Sequence, residues 1–378
     1  MKNLLAYKYQ QITAPMGALQ SSPKKHLIDL SLGDPDITTP ASIIQVSHQR
    51  ALAGHTSYTA PAGTCDLRKA IANHYNQRYD RAFKEDHVFC SVGACHGLYL
   101  VFQGLINPGD EVILLEPYFP VYRTQIQQCG GVVVSIPFEH CQDLDFISQK
   151  ISAQTKALVV NSPNNPTGLV YPLSFLKGLY DLALAHDFVI VSDEVYDQLC
   201  YDSSFPSFHQ LDLEPSHLIS VGSFSKNYAM TGWRLGFVLA PTLLIDLLVS
   251  LNENICYSAP SISQSAALEA LNHPQIPFQL MSVFQERTLF FYEGLKGLAW
   301  CKPLRPQSAF YIFADISATG LSGQDFCEKL YEETSILAIP GIYFGESCGD
   351  FVRFACTVDT SLLKEATHRL SQLNFLPQ

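Results

Sequence analysis

Short apolar runs recur along the chain, each closed by turn residues. Val112-Ile113-Leu114-Leu115 stops at Glu116-Pro117, and Val132-Val133-Val134-Ser135-Ile136 stops at Pro137. Ala157-Leu158-Val159-Val160 leads into Asn161-Ser162-Pro163, and Phe188-Val189-Ile190-Val191 into Ser192-Asp193-Glu194. Leu218-Ile219-Ser220-Val221 leads into Gly222-Ser223-Phe224-Ser225-Lys226. Such short runs, apolar without alternation and rich in β-branched residues, predict strands buried on both faces of a mostly parallel sheet. Between them the period lengthens. Leu173, Leu176, Leu179-Tyr180 and Ala183-Leu184 share one face of a predicted helix over 173–187. The alternation predicts an α/β fold with helices on both faces of the sheet.

The flanks read differently. Residues 1–38 are irregular and punctuated by Pro. From about residue 276 the order becomes a helix through Phe284 to Leu295, a strand at Phe310-Tyr311-Ile312-Phe313, a helix from Gln324 to Glu333, a strand at Phe351-Val352-Arg353-Phe354-Ala355, and a final helix. The division expected is a large domain over 39–275 and a smaller α+β domain over 276–378, with the segment 1–38 packed on the latter.

Composition narrows the function. With 47% AVILMFWYC and 16% charged residues, the chain is not a disordered polyelectrolyte. A chain of 378 residues has ample core and needs no disulfide or metal staple. A net charge of −11 argues against a general nucleic-acid binder, which carries a basic excess. Eleven Cys are scattered without Cys-x-x-Cys or a paired Cys/His spacing, so they read as reduced thiols of a cytoplasmic protein without a metal site. Met1 to Tyr9 lacks an apolar signal core because Lys8 interrupts it, and Leu243 to Leu251 is broken by Asp246. No membrane span is expected.

In open parallel sheets, ligands bind just past the carboxyl ends of the strands. Three predicted strand ends carry unusual polar groups: Asn161 to Gly168, Asp193-Glu194-Val195-Tyr196, and Ser223-Phe224-Ser225-Lys226 running on to Arg234 and Gly236. An Asn, an Asp, a Tyr, a Lys, a Ser and an Arg would then meet at one sheet edge. That set suits a phosphorylated aldehyde. A Lys amine forms a Schiff base, Arg and Ser hold phosphate through charge-assisted hydrogen bonds, and a carboxylate suits the pyridinium nitrogen of pyridoxal 5′-phosphate, PLP. A lone Lys on a loop is usually a solvated charge, and a lone Asn-Pro-Thr-Gly is usually a turn. The weight lies in their convergence at successive strand ends.

Taken together, the motifs resemble the class I and II aminotransferases, PLP-dependent enzymes of fold type I. The resemblance runs from about Leu32 to Ala355. It includes Ser31-Leu32-Gly33-Asp34-Pro35-Asp36, Tyr58-Thr59-Ala60-Pro61-Ala62-Gly63, Ser91-Val92-Gly93-Ala94, Glu116-Pro117-Tyr118-Phe119-Pro120, Asn164-Asn165-Pro166-Thr167-Gly168, and the Asp193 and Lys226 segments. The resemblance implies a PLP-binding large domain and transfer of an amino group between an α-amino acid and a 2-oxo acid. Lys226 matches the Schiff-base lysine, whose freed amine shuttles a proton between substrate Cα and cofactor C4′. Asp193 matches the carboxylate on the pyridine nitrogen. Asn165 and Tyr196 match the partners of the ring phenolate, which set the Schiff-base pKa.

The same resemblance assigns the remaining contacts. Backbone N–H groups of Gly93, Ala94 and Cys95 open a helix and suit the phosphate, joined by Ser223 and Arg234; Ser225 occupies a position that varies in the family. Tyr58 matches a tyrosine reaching the phosphate of a neighbouring subunit, which implies a homodimer with shared sites. Phe119 matches the ring stacked on the cofactor. Arg353 matches the fork that grips the substrate α-carboxylate, with Gly33 and Asn165 also against the substrate. Tyr257 and Tyr311 read equally as pocket or core, and His96 as structural. A PLP lyase eliminating from a sulfur amino acid, or a synthase, would share this machinery; a regulator with an aminotransferase-like domain would need a DNA-binding domain for which the first 30 residues are short. One aspartate-using branch of the family carries Lys where this chain has Cys95, so the resemblance implies weak preference for aspartate.

Overall fold

The computed structural model describes residues 26–201, 205–211 and 215–373. The expectations placed on residues 1–25, including the signal-core reading of Met1 to Tyr9, lie outside them.

Each apolar run forms a strand. β3 (Glu111–Leu115), β4 (Val132–Ile136), β5 (Thr155–Asn161), β6 (Val189–Asp193) and β7 (Leu218–Ser223) lie parallel within a seven-stranded sheet. Two strands escaped the apolar reading. β2 (Val88–Ser91) and β8 (Gly236–Leu239) complete the order β2-β8-β7-β6-β5-β3-β4, and β8 runs antiparallel to both its neighbours.

The continuous hydrophobicity of the runs has a simple cause: successive side chains point to opposite faces, and both faces are covered. Val112 and Leu114 pack with Leu98, Phe102 and Leu248 on one face. Ile113 and Leu115 pack with Phe175, Leu176 and Leu179 on the other. The helix Leu173–His186 supplies the second cover, as its period predicted, and Ala94–Leu105 and Thr242–Glu253 supply the first. Burying one such side chain stabilises the fold by about 1.5–3 kcal/mol.

A second body follows the main sheet. β9 (Lys302–Pro303), β10 (Tyr311–Asp315), β12 (Ile339–Pro340) and β13 (Phe351–Ala355) form a four-stranded antiparallel sheet. It packs on the helices Gln275–Lys296, Gly323–Thr334 and Thr360–Ser371. Ile312, Ala314, Val352 and Phe354 face that core, so the alternate residues Tyr311, Phe313 and Arg353 face the other way.

The stretch after His26 is not wholly irregular. β1 (Ile28–Asp29) pairs with β11 (Ile336–Leu337), and Leu30 accepts a backbone bond from Ala355 at 2.7 Å. Thr357 Oγ1 donates to Leu32 O at 2.9 Å, and Asp36 pairs with Arg287 at 2.6 Å. Residues 28–36 therefore form a strap on the second body. Its far side reaches the main body, where Thr231 Oγ1 donates to Asp34 at 2.7 Å. Glu116, at the end of β3, adds a second tie by accepting from Ser347 N at 2.9 Å. No helix among the described residues is long and apolar enough to cross a membrane.

Register sets the site edge. Asn161 lies opposite Asp193, and Ser91 and Ser223 both lie opposite Gly236. Gly222 is the tight point of this edge, because a Cβ there would overlap the Phe237 ring of the neighbouring strand. Gly222→Ala is expected to lower unfolding free energy by about 1–3 kcal/mol through overpacking, measured by denaturant titration. An unchanged midpoint would show that β7 and β8 can separate without cost.

Candidate active site

A cavity of about 280 Å³ opens at this edge, between the main sheet, the second body and the strap. Lys226, Asp193, Tyr196, Asn165, Ser223, Arg234, Ala94, Cys95, Phe119, Gly33 and Arg353 all line it. Gly93 and Tyr58, also expected at the site, do not line it; Tyr58 lies on the surface, 87% exposed.

Lys226 sits in the short helix Phe224–Asn227 directly after β7. Its Nζ donates to Gly33 O of the strap at 2.5 Å. Burial pushes its pKa down to about 8, with Arg234 and Arg353 adding repulsion and Asp34 opposing it. An amine held near neutrality can attack a carbonyl, which an ordinary lysine ammonium cannot do at neutral pH.

Asp193 closes β6. Burial pushes its carboxyl up to about 6, while Tyr122 Oη donates to Oδ2 at 2.5 Å and Val195 N to Oδ1 at 3.2 Å. Burial disfavours the charged carboxylate; a cation placed beside it would draw the pKa back down. The protonated nitrogen of a pyridine ring is such a cation. Tyr122 was missed by sequence reasoning, although it lies three residues after Phe119 and so on the same side of the turn that starts the helix Val121–Gln128. Asn161, named at its strand end but given no role, accepts through Oδ1 from Asn165 N at 2.8 Å and fixes the loop after β5.

The anion side is built from β2, β7 and β8. Gly93 has φ +75°, and a Cβ on it would stand 2.6 Å from Arg234 Nη2, so glycine lets the guanidinium lie against the start of the helix Ala94–Leu105. Arg234 is anchored by Nη1 donating to Thr231 O at 2.7 Å. Ser223 caps the helix that carries Lys226, accepting from Ser225 N at 3.1 Å. Helix N–H groups, a guanidinium and two hydroxyls are a donor set for a phosphate. His96 takes a local role, accepting from Val92 N at 3.1 Å.

Arg353 enters from β13 and is only 3% exposed. Nη1 donates to Asn165 Oδ1 at 3.0 Å, Nη2 donates to Ser31 O, and Nε is buried with no hydrogen-bond partner among the described residues. Burial lowers its pKa from the usual guanidinium range. A carboxylate would relieve that by pairing with the fork. With Oδ1 of Asn165 occupied, its amide N–H₂ is left to serve the cavity. Of the two tyrosines left open, Tyr311 lines the cavity, whereas Tyr257 is 42% exposed and stacks edge-on against Tyr58 at 5.2 Å.

A buried near-neutral amine, an uncompensated carboxylate, an anion cradle and an unpartnered guanidinium nitrogen together fit PLP and an amino-acid substrate. The family model described as aminotransferase class I and II matches residues 25–370. The chain is 34% identical to arginine–pyruvate transaminase of Pseudomonas aeruginosa, over 92% of this chain and 90% of that one. The structure of aspartate aminotransferase from Thermotoga maritima superposes with a TM-score of 0.88 at 32% identity, covering 97% of this chain and 96% of that chain. The aromatic aminotransferase of Pyrococcus horikoshii also superposes at 0.88, with 29% identity over 92% and 96%. Kinship on this scale, spanning both bodies and every strand that reaches the cavity, has one meaning: the chain belongs to the class I and II aminotransferases, enzymes that move an amino group between an amino acid and a 2-oxo acid.

Proposed function

We propose that this aminotransferase carries PLP covalently on Lys226, works as a homodimer with shared sites, and has no strong preference for aspartate, turning over a neutral or aromatic α-amino acid at least as well. The observation that carries the reading is the buried Lys226 amine, held near pKa 8 in the same cavity as Asp193, Arg234 and Arg353. The family uses PLP, which supplies an aldehyde carbon for the covalent link and a ring that accepts electrons from the substrate Cα. This chain's residues do the rest. Asp193 holds a proton on the ring nitrogen. Asn165 and Tyr196 donate to the phenolate oxygen. Arg234, Ser223 and the N–H groups at Gly93, Ala94 and Cys95 hold the phosphate, and Phe119 covers the ring. Arg353 fixes the α-carboxylate, so the substrate Cα–H would be presented to the Lys226 amine, which would take that proton and return it two bonds away, beyond the shared nitrogen. The relatives named above are transaminases and aminotransferases, and none favours the lyase reading.

Three further parts of the proposal rest on separate observations. Tyr58, Leu243 and Ile255 are exposed apolar side chains, and Tyr58 does not line its own cavity but packs edge-on against Tyr257; a second copy would bury them and bring Tyr58 to the partner's phosphate. The cations lining the cavity are Lys226, Arg234 and Arg353, each already committed, and Cys95 is a thiol whose pKa burial raises further. A distal carboxylate would find no further cation among the described residues that line the cavity. The eleven unpaired thiols favour a reducing compartment, and we place the enzyme in the cytoplasm.

Borohydride should fix the cofactor to Lys226, located by peptide mapping, and Lys226→Ala should lose turnover while still binding PLP non-covalently; fixation at another lysine contradicts the assignment. Because the Lys226 pKa lies below the ordinary value, the neutral amine prevails above about pH 8. The rate of PLP uptake by apoprotein should therefore rise with pH and level off near pH 9, whereas an ordinary lysine would keep rising toward its pKa of about 10.4.

Hybrids of Tyr58→Phe with Lys226→Ala subunits test the shared site. One hybrid site should carry both lesions and the other neither, giving about half the wild-type activity at limiting PLP, set by the two-fold symmetry of such dimers. An active monomer rules this out.

For specificity, the missing charge-assisted contact is worth about 1.5–3 kcal/mol, roughly one to two decades in affinity. Alanine, methionine or phenylalanine should match or exceed aspartate in kcat/KM with a common 2-oxo acid. Aspartate ahead of all three by more than about tenfold, a full 1.4 kcal/mol, would show that a cation reaches the pocket from elsewhere.

A further inference from the structure

Tyr311 touches three groups of the proposed machinery at once. Its hydroxyl lies 2.9 Å from the Tyr196 hydroxyl. Its ring lies under the Arg353 guanidinium, 4.8 Å from centroid to Cζ. A Cβ added to Gly33 would overlap the same hydroxyl, so the strap's backbone rests directly on it. The strap is the element whose Gly33 carbonyl accepts from Lys226 Nζ.

The fold holds this side chain firmly. Tyr311 and Arg353 lie on one face of the β10–β13 pair, with Tyr311 opposite Ala355 and Arg353 opposite Phe313. They are diagonal neighbours, close enough for long side chains to meet. Phe310, before Tyr311, packs against Phe284 at 4.9 Å and against Tyr196 at 5.7 Å. The carbonyl of Ala309 accepts from Tyr201 Oη at 2.7 Å. Tyr311 itself is fully buried.

Hydrogen-bond counting then gives a direction. Tyr196 has a single hydroxyl proton. If Tyr196 spent it on Tyr311, nothing would remain for the cofactor phenolate. The arrangement works when Tyr311 donates to Tyr196, whose own proton stays free and whose donor strength rises by cooperativity. We infer that Tyr311 is a positioning residue: its hydroxyl orients and strengthens Tyr196 as a donor, and its ring holds the plane of Arg353, so that cofactor electronics and substrate grip are set by one side chain. The inference rests on the proposed PLP site, in which Tyr196 faces the phenolate.

Two variants separate the two roles. Tyr311→Phe keeps the ring and removes the hydroxyl. A weakened donor leaves more charge on the phenolate, and the neighbouring linkage nitrogen then holds its proton to higher pH. The midpoint of the visible-band pH titration of the loaded protein should rise by roughly 0.3–1 unit, the equivalent of one hydrogen bond. Tyr196→Phe should shift it in the same direction and further, and the double variant should match Tyr196→Phe alone. KM for the amino acid should stay near wild type in Tyr311→Phe. Tyr311→Leu removes the ring as well and should raise that KM by roughly two- to thirtyfold, the range of a buried cation–π contact. Thermal melts of the apoproteins check that both variants are folded. A Tyr311→Phe midpoint equal to wild type overturns the inference, as does a KM that rises as much in Phe as in Leu. If the wild-type protein forms no pH-dependent visible band on Lys226, the PLP reading itself has failed; if it does and the variants do not move it, only the role of Tyr311 has.

Discussion

Lys226 shares its cavity with two guanidinium groups and is largely buried, and most of the site follows from the cost of charging it there. Burial and repulsion bring its pKa down to about 8, so the amine is available as a nucleophile and as a base near neutral pH. The same burial pushes Asp193 up to about 6 and depresses Arg353. Each of these groups is unsatisfied in a way that a phosphorylated pyridine aldehyde and an amino-acid carboxylate would satisfy.

Two bodies and a strap must meet for that cavity to exist. The main sheet contributes Asn165, Asp193, Tyr196, Lys226 and Arg234 from the edge where its parallel strands end. The second body contributes Arg353 and Tyr311 from alternate positions on β13 and β10, whose opposite faces form a separate core. The strap lies between them, taking hydrogen bonds from Lys226 on one side and from Arg353 and Thr357 on the other. Glu116 ties the end of β3 to Ser347. A substrate carboxylate arriving at Arg353 would compete with the Ser31 carbonyl that now occupies Nη2, so binding and the placement of the strap are linked.

Much of this was legible in the residues, and the exceptions have physical reasons. The runs at Val112, Ala157 and Leu218 are apolar on both faces because helices cover both, and that signal is hard to mistake. β2 and β8 were missed because they are only four residues long, with Ser91 ending the one and Gly236 opening the other, where a Cβ would press on the backbone of Gly93. Most of the side chains that line the cavity were read from motifs that sit at strand ends. The supporting roles of Tyr122 and Asn161 were not: they act through Asp193 and Asn165, and their contacts cross 71 and 4 positions of sequence. Tyr311 could not be told from a core aromatic, because it is one: the same ring packs the sheet and faces the cavity.

The central claim is that the amine leaves one molecule on the cofactor and departs on another, with Lys226 moving the proton. Stopped-flow absorbance on the loaded enzyme, mixed first with an amino acid alone and then with a 2-oxo acid alone, tests it most directly. The account predicts loss of the visible band in the first step, release of one 2-oxo acid per site with no free ammonia, and full return of the band in the second. Steady release of ammonia and oxo acid in the first step, with the band preserved, would contradict it.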